Sequence, residues 1–164
     1  MSPFDPERLL RALSARGVRY VLVGATAARL QGFPRLTADA DIAPATDADN
    51  LQRLASALND LHARVYTDAV PEGLTFSCDA ATISRSNIWN LITDAGRLDL
   101  LFRPSGTEGY DDLVRSAITY QVFGLEVHAA SLKDILRSKL ASNRPQDQQD
   151  VIILKEMLRR RPST

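Results

Sequence analysis

One cysteine in 164 residues, Cys78, excludes an intrachain disulfide, and the only two histidines, His62 and His128, stand too far from it for any zinc-binding spacing. Net charge is also missing: 20 Lys and Arg balance 20 Asp and Glu. That neutrality excludes the cationic field of a general nucleic-acid coat and leaves room for a local basic patch or a transient encounter with a nucleic-acid substrate. No apolar run approaches the roughly 20 residues that span a bilayer, so no membrane partner is expected. The start, Met1-Ser2-Pro3-Phe4-Asp5, lacks the basic and apolar regions of a signal peptide, which points to a cytoplasmic protein. Repeats, low-complexity tracts and linkers are absent. A chain of this length buries an adequate core as one domain, 1–164, without metal or disulfide. What is abundant is aspartate, 15 against 5 Glu, and arginine, 17 against 3 Lys. Asp is the shorter, stiffer carboxylate, suited to turns, helix caps and metal sites.

Asp5-Pro6 opens a helix whose stripe is Leu9, Leu10 and Leu13, closed by Gly17. Val18 to Val23 reads as a strand ending at Gly24, Ala25 to Leu30 as a short helix, and Ala38 to Ala43 as a second strand. Asp47 to Leu61 is an amphipathic helix with Leu51, Leu54, Ala55, Leu58 and Leu61 on one face. Between Ala63 and Arg85 only short β-like pieces and the turn Pro71-Glu72-Gly73 can be read. Ile88 to Thr93 and Arg97 to Phe102, joined by Asp94-Ala95-Gly96, form a hairpin, and Ile118 to Phe123 with Leu125 to Ala129 form another about Gly124. Tyr110 to Ser116 is helical. Ser131 caps a helix to about Ala141, a break falls at Asn143-Arg144-Pro145, and the last helix ends in Arg159-Arg160-Arg161. The pattern is α+β, with a mixed or largely antiparallel β-sheet flanked by helices and a helical C-terminus.

Asp39 and Asp41, at i and i+2 of a strand, point to one face. Two carboxylates so placed repel, and a hard cation such as Mg²⁺ or Mn²⁺ between them relieves the cost; alternatively one faces solvent or both serve turn hydrogen bonds. Gly24 ends one strand and opens a helix, where free backbone N–H groups suit phosphate oxygens. Asp99 lies in the apolar run Arg97-Leu98-Asp99-Leu100-Leu101-Phe102 and needs a partner. A metal shared with Asp39 and Asp41 would supply one; an edge-strand position facing water, or pairing with Arg97 or Arg103, is the alternative.

Gly24-Ala25, then Arg35-Leu36-Thr37-Ala38-Asp39-Ala40-Asp41, then Gly96-Arg97-Leu98-Asp99-Leu100-Leu101, then the run Ser131 to Val151 containing Lys139 and Arg144-Pro145-Gln146-Asp147-Gln148-Gln149-Asp150, resembles the DNA polymerase β-like nucleotidyltransferase superfamily. Within it the chain is most similar to the AbiEii-type and minimal nucleotidyltransferases, many of them toxins of toxin-antitoxin pairs. The resemblance implies a nucleotidyltransferase-like fold and transfer of an NMP from an NTP to a hydroxyl of an RNA end, a protein or a small molecule, with an antitoxin as a possible partner protein. It implies Asp39, Asp41 and Asp99 as catalytic ligands of Mg²⁺ or Mn²⁺. It places Gly24, Ala25, Thr26 and Lys139 at the nucleotide, with Asp147 or Asp150 as the acid that follows. Two metal ions about 3.5–4 Å apart serve such a transfer by activating the nucleophile and holding the phosphates.

The match has departures. Ala25 stands where Gly or Ser is usual, and Ala40 replaces a larger apolar residue between the aspartates, so reduced activity is expected. On them rests a second reading, a catalytically impaired protein of the same fold acting as a nucleotide-binding or regulatory partner. Arg35 is equally suited to bind phosphate or to brace its loop. Lys139 lies beside an apolar helix face of Leu132, Ile135, Leu136 and Leu140, where a lysine is ordinarily solvated. Arg144 can pair locally with Asp147 or Asp150, and Arg159 to Arg161 suit the helix dipole or a solvated tail. Trp89 reads as core or sheet surface and Cys78 as a small buried apolar residue.

Overall fold

The computed structural model describes residues 3–161; Met1 and Ser2, part of the start read above as no signal peptide, lie outside them. The chain folds as α1 (Pro6–Ala15), β1 (Tyr20–Val23), α2 (Gly24–Leu30), β2 (Asp39–Pro44), α3 (Ala48–Asp60), β3 (Arg64–Val65), α4 (Ala80–Ile83), β4 (Ile88–Thr93), β5 (Gly96–Leu101), α5 (Tyr110–Leu113) with a short 3₁₀ turn (Val114–Ser116), β6 (Ile118–Val122), β7 (Leu125–Ala129), α6 (Leu132–Ser142) and α7 (Asp147–Arg160). The seven strands form one mixed sheet in the order β3-β4-β5-β2-β1-β7-β6. β2 runs parallel to β5 and β1 to β7, and the other neighbours pair antiparallel.

Local chemistry sets the element ends. Asp5 accepts a hydrogen bond from the Arg8 backbone N–H with Pro6 at the first helical position; Asp47 caps α3 through Asn50 and Ser131 caps α6 through Asp134. Each such cap stabilises its helix by about 1 kcal/mol. Asn50, wholly buried inside α3, holds the helix to β1 and β2 by bonding the backbone of Arg19 and Ala45. The region that resisted assignment holds the two-residue β3, which bridges at Val65 to Leu74, and the four-residue α4. Both are too short for periodicity to register.

One core unites α1, α3, the central strands and the C-terminal helices through Leu9, Leu13, Ile42, Leu54, Leu58, Leu98, Leu100 and Leu154. Ala40, Ile42, Leu98 and Leu100 face into it, so their strand neighbours Asp39, Asp41, Arg97 and Asp99 project from the opposite face. β2 begins at Asp39 and ends at Pro44, one residue later at each end than the sequence suggests. The α6 face is also narrower than expected: Leu132 and Ile135 are buried, whereas Leu140 is exposed. Cys78 is half-buried rather than buried, with burial pushing its thiol up to about 11.

Candidate active site

The parallel pairing of β2 with β5 sets Asp41 directly beside Asp99 and Asp39 beside Arg97. β5 lies between β4 and β2, so Asp99 is not on an edge strand. Asp39, Asp41 and Asp99 therefore share one face of the sheet, all half-buried, with the Asp41 and Asp99 carboxyl groups in hydrogen-bond reach of each other. Burial, then the charges of Asp39 and Asp99, push the Asp41 carboxyl up to about 7 against the pull of Lys139. Burial also raises Asp99, with Arg97 opposing and Asp39 reinforcing the shift. Asp99 Oδ1 is buried without a hydrogen-bond partner. Converging carboxylates with an unfilled acceptor suit a hard divalent cation. Among the described residues, however, no three His, Cys, Asp or Glu side chains already stand close enough to enclose one.

Gly24 has φ +63°, and a Cβ added there would lie 2.4 Å from Asp41 Oδ2. The space that glycine leaves, expected to admit a phosphate, is taken by the Asp41 carboxylate. Gly24→Ala thus meets both the left-handed backbone and a carboxylate flanked by Asp99. The variant should lose about 1–2 kcal/mol of stability by chemical denaturation, and its carboxylate should be displaced. Thr26 Oγ1 donates to the Asp39 backbone carbonyl at 3.0 Å, as does Thr37 Oγ1 at 2.8 Å, and Thr37 also reaches Asp39 Oδ1 at 3.1 Å. Thr26 and Thr37 thus fix the mouth of β2, and the Thr26 hydroxyl is engaged there rather than free for a phosphate. Ala25 is half-buried beside them, whereas Ala40 faces the core, away from the carboxylates.

Arg97, treated by sequence reasoning only as a partner for Asp99, has a larger place in the site. Its guanidinium lies 3.6 Å over the Tyr66 ring and 3.5 Å from Asp99 Oδ1, and its Nε is buried without a partner. Tyr66 could not be found from sequence because it lies in the unassigned stretch. Arg103, the other offered partner of Asp99, pairs with Glu108 instead.

Lys139 is not solvated. With its side chain 16% exposed, it lies 3.0 Å from Asp150 and 3.4 Å from Asp147, both themselves buried at the start of α7. Although burial works against ionisation, hydrogen bonds from Arg144 and Ser142 and the charge of Lys139 hold Asp147 well below the usual carboxylate range. Arg144 pairs with Asp147 at 3.0 Å, and Arg35 pairs with Asp150, so Arg35 braces its loop against α7. Arg159 and Arg160 pair with Glu156, and Arg161 donates to the Gln31 carbonyl, tying the end of α7 to the end of α2. Trp89 is half-buried, stacked on Phe76 and donating to the Ile83 carbonyl.

The structure thus brings together Asp39, Asp41 and Asp99 with Gly24 and the field of Lys139, and it gathers Lys139, Asp147, Asp150 and Arg35 into one ion-pair cluster. A surface cavity of about 310 Å³ lined by Leu51, Arg85, Asn87 and Arg103 includes none of the three carboxylates.

No family model and no curated protein matches the sequence. Solved structures do. A candidate nucleotidyltransferase of Thermotoga maritima aligns over 98% of this chain and 98% of its own, at TM-score 0.52 and 19% identity. The antibiotic-resistance factor ANT(2'')-Ia aligns over 93% of this chain and 79% of its own, at TM-score 0.56 and 17% identity. The fold is nucleotidyltransferase-like.

Proposed function

We propose that this protein is a metal-dependent nucleotidyltransferase that moves an NMP from an NTP to a hydroxyl acceptor. The observation that carries this reading is the convergence of Asp39, Asp41 and Asp99 on one sheet face, from two parallel strands, with a buried oxygen left unpartnered. Mg²⁺ or Mn²⁺ bound there would neutralise charge on the phosphates and activate the attacking hydroxyl. Asp39, Asp41 and Asp99 are the groups that would hold it. Gly24 leaves room for the Asp41 carboxylate, Thr26 and Thr37 hold the backbone of Asp39 in register, and Lys139 offers positive charge on the side toward α6. Thr26 and Ala25, at the start of α2, stand next to the carboxylates where the nucleotide phosphates would lie.

Arg97 positions the third carboxylate. Its stacking on Tyr66 fixes the guanidinium 3.5 Å from Asp99 Oδ1, favouring the ionised acid without a hydrogen bond to that oxygen. Arg97→Gln should lower kcat about tenfold to a hundredfold with KM for the NTP little changed, and added guanidinium should restore part of the rate. An equal rise in KM would assign Arg97 to nucleotide binding instead.

Candidate acceptors are an RNA end, a protein hydroxyl or a small molecule, and the sequence resemblance favours a cytoplasmic toxin countered by an antitoxin protein. The deciding experiment incubates the protein with each labelled NTP, Mg²⁺ and pooled acceptors, and follows pyrophosphate release with Asp41→Asn as control. Turnover confined to the wild type supports the reading; no metal-dependent NTP binding or turnover with any acceptor overturns it. A second reading, a nucleotide-binding or regulatory protein with impaired catalysis, is favoured by Lys139 being engaged by Asp147 and Asp150 and by the lack of a closed cation cage among the described residues. Thermal melting with and without Mg²⁺-ATP separates the two, because a ligand selective for the native state raises its melting temperature. Stabilisation without turnover selects the second reading.

A further inference from the structure

The two edges of the sheet are treated differently. β3, at one edge, is only two residues long and is capped by the bridge from Val65 to Leu74. β6, at the other, presents five residues, Ile118-Thr119-Tyr120-Gln121-Val122, with no charge and no proline and only β7 beside it. An unguarded edge of this kind is a template for another strand.

We propose that β6 pairs antiparallel with β6 of a second copy of this chain, about a two-fold axis at Tyr120, joining two sheets into one. The order of side chains selects a second copy. Apolar, polar, aromatic, polar, apolar reads the same in either direction, so antiparallel pairing sets Ile118 against Val122, Thr119 against Gln121 and Tyr120 against itself. Like then meets like on each face, as a self-complementary contact requires. Charge is complementary as well. Arg115, exposed just before β6, makes no ion pair among the described residues, and Glu126, with its side chain 65% exposed and 3.7 Å from the His128 ring, stands beside Gln121 at the far end. The two-fold axis carries Arg115 of each copy toward the Glu126 end of the other.

The turn after β6 points the same way. Phe123 and Gly124 have φ +53° and +77°, a turn in which asparagine ordinarily precedes the glycine. Phenylalanine is strained there, the residue is 44% exposed, and Arg11 donates to its carbonyl at 3.0 Å. An aromatic ring held out at the end of a bare edge strand fits burial against the neighbouring copy.

Sedimentation equilibrium of the full chain tests this. The wild type should dimerise. Thr119→Glu/Gln121→Glu should be monomeric and folded, since both side chains face away from the core, and so should Thr119→Lys/Gln121→Lys. Mixing the two should restore a dimer, because each Glu then faces a Lys. Phe123→Asn should weaken the dimer about tenfold or more while raising the melting temperature of the monomer. A wild type that stays monomeric at every concentration, or like-charged variants that each dimerise as tightly as it does, overturns the proposal. β6 lies three strands from β2, so none of these variants should change the melting response to Mg²⁺-ATP, which separates this outcome from that of the nucleotidyltransferase reading.

Discussion

Asp41→Asn should abolish activity and at the same time make the metal-free protein more stable at neutral pH. The sign follows from the raised carboxyl. In the unfolded chain an aspartate ionises near 3.8, and in the folded protein Asp41 ionises near 7. Between those values the folded state holds a proton that the unfolded state has lost, so stability falls as pH rises from about 4 to about 7, then levels off. Asparagine, which carries no charge to bury, should recover about 1 kcal/mol or more of the stability lost over that range. Thermal melts from pH 4 to 9 without divalent cation should show a falling curve for the wild type and a flatter one for Asp41→Asn, with the two meeting at acid pH. Adding Mg²⁺ should raise the melting temperature of the wild type alone. On the proposed reading Asp41 would help hold the ion, and its loss should lower kcat/KM a hundredfold or more. A variant less stable than the wild type at pH 8 would show that the carboxylate is satisfied in the free protein and that its neighbours do not oppose it.

The second large effect is at Lys139. A solvated lysine replaced by methionine changes stability by less than about 0.5 kcal/mol. Here Lys139→Met strips a cation from between Asp147 and Asp150, which are 2% and 4% exposed, and leaves only Arg144 and Arg35 to offset them. Removing one partner of a buried ion pair costs about 3–5 kcal/mol, so the melting temperature should fall by about 10 °C. The double variant Lys139→Met/Asp150→Asn should recover much of this, because the loss comes from buried negative charge that Arg144 and Arg35 only partly offset rather than from packing. No recovery would mean that the lysine stem, not its ammonium, matters.

The long elements were legible because pattern and chemistry agreed in them. Asp47 caps where the leucine stripe of α3 begins, Asp94-Ala95-Gly96 turns between two alternating strands, and Ser131 marks the start of α6. The three carboxylates were legible from their spacing, and the family resemblance implied that they share a site, but the pairing that brings them together was not. That pairing, β2 parallel with β5, is a non-local choice that no local pattern encodes. Lys139 was misread for a related reason. Its helix-mates describe an amphipathic surface, yet α7 folds back and covers it with Asp147 and Asp150. Leu140, the next residue, is left exposed by the same packing. Gly24 stands out in the sequence as a strand-to-helix turn, but its φ of +63° and the Asp41 carboxylate against it are facts of three-dimensional packing. Arg97 and Tyr66 meet across a region whose elements are two and four residues long, too brief to leave a periodic trace.

The parallel pairing of β2 with β5 also bears on the order in which the molecule assembles. The β4–β5 hairpin is local and closes quickly, but β2 joins it only after α3, β3, α4 and β4 have been laid down between them, which makes this docking a late, entropically costly step. It is also the step that forces Asp41 against Asp99. Carboxylate repulsion therefore opposes this docking, more in alkaline solution and less where a proton arrives first. β1 meets β7 across a still longer stretch of chain, so the carboxylate pair does not decide when the sheet is complete; it makes the joining of its two central halves the pH-sensitive event of assembly.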